Sequence, residues 1–286
     1  MRVMIIGANG QLGFELIRTC PGGITLFETD HPQIDICDKQ NIKKWIKTTS
    51  PDIIINAAAY TDVDKAEKEK DKAFQINHMG VENLALEARD AGVYLIHIST
   101  DFVFSGEQNI PYCPDDKPCP GTVYGSSKLA GELAVKKILR SKAVIIRTAW
   151  LYSSHGNNFV KNMLNLMKGK SRINVIDEQL GTPTWAYGLA GTLWNITGRK
   201  LTGTHHYTDA GVASWYDFAV AIQEEGLAAG ILTRANPIHP VPADKFPTPA
   251  KRPVYSVLNK QSLLKAAKIT PVHWRVNLRT MMGELA

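Results

Sequence analysis

Short apolar runs alternate with helical patterns through the first half of the chain. Val3 to Ile6, Ile24 to Phe27, Ile53 to Asn56, Val93 to Ile98 and Val144 to Ile146 read as strands buried on both faces, being continuous β-branched runs of strand length. Between them, Gln11 to Thr19, Gln40 to Thr48, Lys72 to Ala91 and Tyr124 to Leu139 carry apolar residues at helical spacing. Strand and helix in alternation predict an α/β fold, a Rossmann-type doubly wound parallel sheet. After about residue 150 the regularity weakens, and Pro237 to Pro253 is proline-rich. Residues 1–150 are therefore expected to form a dinucleotide-binding domain and 151–286 a smaller substrate-binding lobe, some of whose elements pack back on the first domain.

The chain has 286 residues, 44% of them hydrophobic, enough for a substantial core. The opening run Met1 to Gly7 is too short for a signal peptide, and no stretch approaches the ~20 apolar residues of a membrane span. A cytoplasmic protein that binds no membrane is expected. The net charge is +6, but its lysines and arginines are scattered without interleaved aromatics, so an anionic small substrate accounts for it better than nucleic acid. Cys20, Cys37, Cys113 and Cys119 form no CxxC pair and suit free thiols in a reducing compartment.

The first strand runs directly into Gly7-Ala-Asn-Gly10-Gln11-Leu12-Gly13, and a helix follows. In that context Gly7 permits the tight turn, Gly10 lets backbone approach a pyrophosphate, Gly13 allows close helix packing, and the helix N-terminus faces the anion. Asp30 follows the second strand, where a carboxylate can bind ribose hydroxyls and disfavour a 2′-phosphate, although His31 and Lys39 could still accommodate one. NADH and NADPH both stay open. Asn56-Ala-Ala-Ala59-Tyr60-Thr61 ends the third strand, with small residues suited to cofactor approach or to tight strand–helix packing. The fourth strand ends in Ser99-Thr100-Asp101, where Thr100 is placed to hydrogen-bond a reacting oxygen and Asp101 to orient a substrate group.

Tyr124 and Lys128 are four residues apart on a predicted helix and so share a face. An ammonium beside a phenol favours its ionised form and makes it a usable acid or base. His205 and His206 are strand neighbours that point to opposite faces and do not form a joint metal site. Trp185, Trp194 and Trp215 fall in apolar helical patterns and are expected in the core.

The glycine turn, Asn-Ala-Ala-Ala, Ser-Thr-Asp, Tyr-x-x-x-Lys and Arg147-Thr-Ala-Trp150-Leu-Tyr occur in the order of the extended short-chain dehydrogenase/reductase family. Within it the chain resembles the dTDP-4-dehydrorhamnose reductases over nearly its whole length, including Thr61 to Glu67, Gly156 to Phe159, Asp177 to Pro183 and Pro247 to Pro253. The resemblance implies reduction of a 4-keto sugar nucleotide, dTDP-4-dehydro-L-rhamnose, by NADH or NADPH in making a cell-surface polysaccharide precursor. It assigns Tyr124, Lys128 and Thr100 to catalysis. Gly10, Gln11, Leu12, Asp30, Asp35, Ile36, Ala59, Tyr60 and Thr61 would contact the cofactor, and Asp101, Trp150, Asn157 and Asn158 the sugar or nucleotide. Sister dehydratases carry glutamate where this chain has Phe102, which argues against dehydration. A rival from another class is a non-catalytic subunit resembling the regulatory subunit of methionine adenosyltransferase.

Some members of the reductase family bind magnesium at a dimer interface through three glutamates, whose places here are Glu15, Tyr187 and Glu284. A neutral phenol is a poor ligand for a hard cation. No metal is expected, and the protein should be a monomer, or a homodimer through another surface. Pro114 stands where the family more often has glutamate, and is read as altering a loop.

Overall fold

The computed structural model describes residues 1–286. Six strands form one parallel sheet: β1 (Arg2–Ile6), β2 (Thr25–Thr29), β3 (Ile53–Asn56), β4 (Tyr94–Thr100), β5 (Ala143–Thr148) and β6 (Gly203–His206). Their spatial order is β6-β5-β4-β3-β1-β2. The strand order reverses between β1 and β3, and it is outside the carboxyl ends of the strands at such a point that ligands bind open sheets of this kind. The predicted strands all form, and β2 runs on to Thr29 because the Thr29 hydroxyl donates to Ile5 O at 2.6 Å while its carbonyl accepts from Gly7 and Ala8.

Helices α1 (Gln11–Arg18) and α6 (Ala186–Thr197) cover one face of the sheet. Leu12, Leu16, Leu189, Leu193 and Trp194 meet Val3, Ile5, Ile96 and Ile146 there. The other face packs against α2 (Lys39–Thr49), α3 (Val81–Ala91) and α4 (Val123–Leu139) through Ile42, Leu84, Val135 and Leu139. A separate core brings together α5 (Phe159–Gly169), α7 (Trp215–Ala228) and α8 (Trp274–Leu285) around Phe218, Ile222 and Met281. The second half of the chain thus supplies both an edge strand and a covering helix to the sheet, as β6 pairs residue by residue with Val144–Arg147 of β5. No helix is long and apolar enough to cross a membrane.

The segment read as one helix over Lys72 to Ala91 is interrupted. Lys70–Phe74 and α3 are joined by a π-helical turn, Gln75–Gly80. Fully buried Asn77 sits in this turn and bonds chain segments outside the helix, a task that favours an off-register turn. Trp185 also departs from its expected place: it lies in a short pairing with Tyr152 and precedes α6 rather than lying within a helix.

Helix α4 turns a polar stripe inward. Lys128 and Glu132 are buried, and Glu132 meets the buried Arg147 of β5 at 2.7 and 2.8 Å. Arg147 also donates to Pro114 O and faces buried His206, which burial and the neighbouring guanidinium push down to about 3. His205, on the opposite face, bonds Ser262 and Thr202.

Breaking one side of a buried ion pair leaves an uncompensated charge and costs about 3–5 kcal/mol. Arg147→Met and Glu132→Leu should each lose about that much in urea denaturation, with the double variant recovering most of it. Single losses below about 1 kcal/mol would show that the pair does not brace α4.

Candidate active site

A cleft of about 790 Å³ runs along the carboxyl ends of the strands from Gly7 and Asp30 to Tyr124, Trp150 and Asn157. Its floor depends on missing side chains. A methyl on Gly7, whose φ is +91°, would lie 2.7 Å from Ala58 N, and one on Gly13 would lie 2.1 Å from Gly7 O. Gly10 caps α1 with no side chain, so the first amides of the helix at Gln11, Leu12 and Gly13 meet no capping group and can receive an anion. These three residues, Asp35, Ile36, Ala59 and Thr61 line the cleft. The Asp30 carboxylate accepts from Asn9 N and His31 N, both at 2.7 Å, and fixes the rim next to the turn. Asp35 accepts from Cys37 N at 2.8 Å. The volume, the glycine floor and the uncapped amides fit a dinucleotide.

Tyr60 is placed elsewhere. Its phenol donates to Glu69 at 3.1 Å, and Asn77 grips both its N–H (2.9 Å) and its carbonyl (3.0 Å). The cleft does not include its side chain. Asn77 also donates to the Ser127 hydroxyl, which donates in turn to Tyr124 O at 2.8 Å, so one buried amide holds the Ala59–Thr61 loop against the first turn of α4. Sequence reading passed over Asn77. The signal available was a polar residue among Ala73, Val81 and Leu84 on a helical face.

Thr122 caps α4 by accepting from Gly125 N at 3.0 Å, which sets Tyr124 at the cleft wall with Lys128 one turn deeper. A methyl on Gly125 would lie 2.1 Å from Phe102 O, so only glycine allows this docking. The Lys128 ammonium donates to Ile98 O at 2.7 Å, and burial pushes it down to about 8 against the pull of Glu132. Burial pushes the Tyr124 phenol up to about 12, and Thr100 rather than Lys128 is the group that opposes the rise. The coupling expected from their spacing is thus not what sets the phenol here. The lysine is turned to a backbone carbonyl, and the phenol is held as a proton donor.

Thr100 donates to Asp101 Oδ1 at 3.0 Å and accepts from Phe102 N. Burial raises Asp101 to about 6, and its Oδ2 has no hydrogen-bond partner within the chain. Phe102 meets Tyr124 edge to face at 5.5 Å, where a dehydratase would need a carboxylate.

Trp150 holds a left-handed backbone, φ +48°, an uncommon conformation for an aromatic residue that clusters at functional sites. Its indole stacks on Trp215 at 3.5 Å, and a methyl on Gly181 would lie 2.4 Å from it. Trp215, expected only as core, is therefore the backing of the Trp150 wall. Asn157 lines the cleft, whereas Asn158 does not. Asn158 caps α5 and donates to Gln11 Oε1 at 3.0 Å and Ser153 O at 2.7 Å. It supports Gln11 from behind.

The family model of the RmlD substrate binding domain matches residues 1–286. The spore coat polysaccharide biosynthesis protein SpsK of Bacillus subtilis is 38% identical over 99% of this chain and 97% of its own. The dTDP-4-dehydrorhamnose reductase of Escherichia coli is 37% identical over 100% of this chain and 98% of its own. A crystal structure of dTDP-4-dehydrorhamnose reductase from Bacillus anthracis, in complex with NADP, superposes with a TM-score of 0.93 at 36% identity, covering 99% of both chains. With fold, motif order and full-length similarity in agreement, the chain belongs to the RmlD substrate binding domain family.

Proposed function

We propose that the protein is an NAD(P)H-dependent reductase of a nucleotide-linked 4-keto sugar, converting dTDP-4-dehydro-L-rhamnose to dTDP-L-rhamnose. The observation that carries this reading is the Tyr124 phenol at the wall of a dinucleotide-sized cleft, beside Thr100 and with Phe102 in place of a second acid. The similarity to proteins named dTDP-4-dehydrorhamnose reductase supports the choice of sugar, and the NADP complex of the Bacillus anthracis relative supports the cofactor. No observation favours the non-catalytic reading, since Tyr124, Lys128 and Thr100 are all present and adjoin one cleft.

A reduced nicotinamide bound in the cleft supplies the hydride. Tyr124 holds the sugar's C4 carbonyl oxygen and gives it a proton as negative charge develops there, while Thr100, whose own proton goes to Asp101, accepts beside the phenol. Lys128 binds the cofactor ribose through the protons not given to Ile98 O. The amides of Gln11, Leu12 and Gly13 hold the pyrophosphate, and Asp30 meets the adenosine ribose. Trp150 and Asn157 bound the sugar nucleotide and Asp101 orients it. Residues 1–150 carry the cofactor and 151–286 supply the sugar-nucleotide lobe. The enzyme works in the cytoplasm on a dTDP-sugar, as a monomer or homodimer.

Incubation with the 4-keto sugar nucleotide and reduced nicotinamide, followed by nicotinamide absorbance, tests the whole reading. Tyr124→Phe keeps the ring packing but has no proton to give, so turnover should fall by about 10²–10⁴-fold with cofactor affinity nearly unchanged. Near-parental turnover would remove Tyr124 from the mechanism.

The Lys128 ammonium is charged below about pH 8 and loses its proton as pH rises through that value. Reduction should therefore decline above about pH 8 in a kcat/KM profile. In Lys128→Arg, whose guanidinium stays charged, the decline should move upward or vanish. An unmoved limb would assign it to another group.

Asp30 puts a carboxylate on the cleft rim beside the glycine turn, and its proposed partner is the adenosine ribose. Asp30→Asn keeps an acceptor but removes the charge, and should shift the ratio of NADH to NADPH dissociation constants toward NADPH by about tenfold, or about 1.4 kcal/mol. A parent that strongly prefers NADPH would refute the repulsion.

A further inference from the structure

The three positions that correspond to a magnesium site elsewhere in the family do not suit a metal in this chain. Glu15 is fully buried, and both of its oxygens are engaged: Oε1 accepts from the Ser153 hydroxyl at 2.6 Å, and Oε2 accepts from Arg18 Nε at 2.8 Å, with Arg18 Nη2 in ion-pair contact at 2.6 Å. The same guanidinium reaches Glu284 Oε1 at 2.8 Å, and Glu284 Oε2 accepts from the Ser154 hydroxyl at 2.8 Å. Tyr187 offers the face of its ring, with the Arg18 guanidinium 5.0 Å from its centroid. A cation therefore already lies between the two carboxylates, and it belongs to the chain.

Both carboxylates of this cluster lead on to one loop. Residues 153–158 follow the Trp150 turn and lie over the N-terminal half of α1. Ser153 and Ser154 are bound to the two carboxylates. His155 stacks on Phe14 at 4.5 Å, and its Nε2 lies 2.9 Å from Asn9 O. Asn158 donates to Gln11. A methyl on Gly156 would stand 3.2 Å from the Gln11 side chain, so the loop also touches the first residue of α1. Asn157 alone of these polar residues is left facing the cleft, next to Gln11.

We infer that Arg18 is a positioning residue for cofactor binding: by joining Glu15 to Glu284 within one chain it straps residues 153–158 onto α1 and so fixes Gln11 and Asn157 at the cleft. This rests on the reductase reading only in taking the cleft's ligand to be a nicotinamide dinucleotide. The strap is built from the second half of the chain and the C-terminal helix α8, and it closes on the amides at the start of α1. Its effect falls on affinity for the dinucleotide and not on the proton donor, which is placed separately by α4. A guanidinium that reaches two carboxylates and lies over an aromatic face is only partly replaced by an ammonium, which separates the role of its charge from that of its shape.

The test is titration of NADH and of NADPH by nucleotide fluorescence, with and without EDTA, in the parent, Arg18→Met, Arg18→Lys and Ser153→Ala. The expected result is about tenfold weaker dinucleotide binding in Arg18→Met, partial rescue to within about threefold in Arg18→Lys, and a smaller loss in Ser153→Ala. Ser153→Ala removes one hydroxyl and carries the test if Arg18→Met does not fold. In turnover, KM for the cofactor should rise, with a smaller rise in KM for the sugar nucleotide that Asn157 bounds, while kcat holds, a split that general loosening of the fold would not give. Chelation should leave the parent's affinity unchanged. Binding by Arg18→Met or by Ser153→Ala that equals the parent's, or parental affinity that falls with EDTA and returns with magnesium, would overturn the strap. A parent that binds no dinucleotide would overturn the reductase reading and the inference with it.

Discussion

The constraint on which the site depends is that α4 is buried by its polar stripe. Tyr124, Lys128 and Glu132 succeed one another at intervals of four, which places them along one line of the helix, and two of the three are charged groups with almost no access to water. Such a helix docks only where each charge has a partner waiting on the sheet. Arg147 on β5 meets Glu132, and the end of β4 offers Ile98 O to Lys128. Two glycines let the backbone come close enough: at Gly131, as at Gly125, a methyl would strike a carbonyl oxygen, here Asn77 O at 2.2 Å. The position of the proton donor is thus fixed by ion pairing and close backbone contact, with little freedom left to the phenol itself.

The cleft joins two halves whose local requirements differ. On the dinucleotide side the chain withdraws side chains and offers amides. On the sugar side it offers aromatic surface, and the left-handed backbone at Trp150 is held there by stacking on Trp215 and by the space at Gly181. Between the two lies Asp101, buried and raised toward neutrality, in a wall that also carries Ser99, Thr100 and Thr148. Specificity for a substrate with both a flat ring and hydroxyl groups follows from such a mixture.

Local features were the legible ones. The strand into Gly7 and the helix after Gly13 were readable because a turn of this geometry needs glycine whatever lies around it, and the Tyr124–Lys128 spacing because helical periodicity fixes which residues share a face. What escaped was decided by partners distant in sequence. Tyr60 sits within a run of cleft residues, yet its side chain turns outward, because its backbone is claimed by Asn77 from a π-helical turn that periodicity cannot announce. Asn158 and Asn157 are adjacent and polar, and only the packing of the loop on α1 decides which of them faces the cleft. Spacing put the lysine beside the phenol but could not show that Ile98 O would claim the ammonium.

The late arrival of β6 has a consequence for how the protein is made. The sheet from β1 to β5 consists of residues that leave the ribosome early, whereas the strand that covers the β5 edge and the helix α6 that covers one face follow only after the substrate lobe has begun. At roughly 5–20 residues per second, several seconds pass in which an apolar, unpaired strand edge is open to neighbouring chains, the condition under which sheets pair wrongly. Slow elongation or crowded expression should therefore harm the nascent chain more than the finished protein, and a chain released near residue 150 would keep its glycine turn and its Tyr–Lys pair yet be more prone to aggregation than to function.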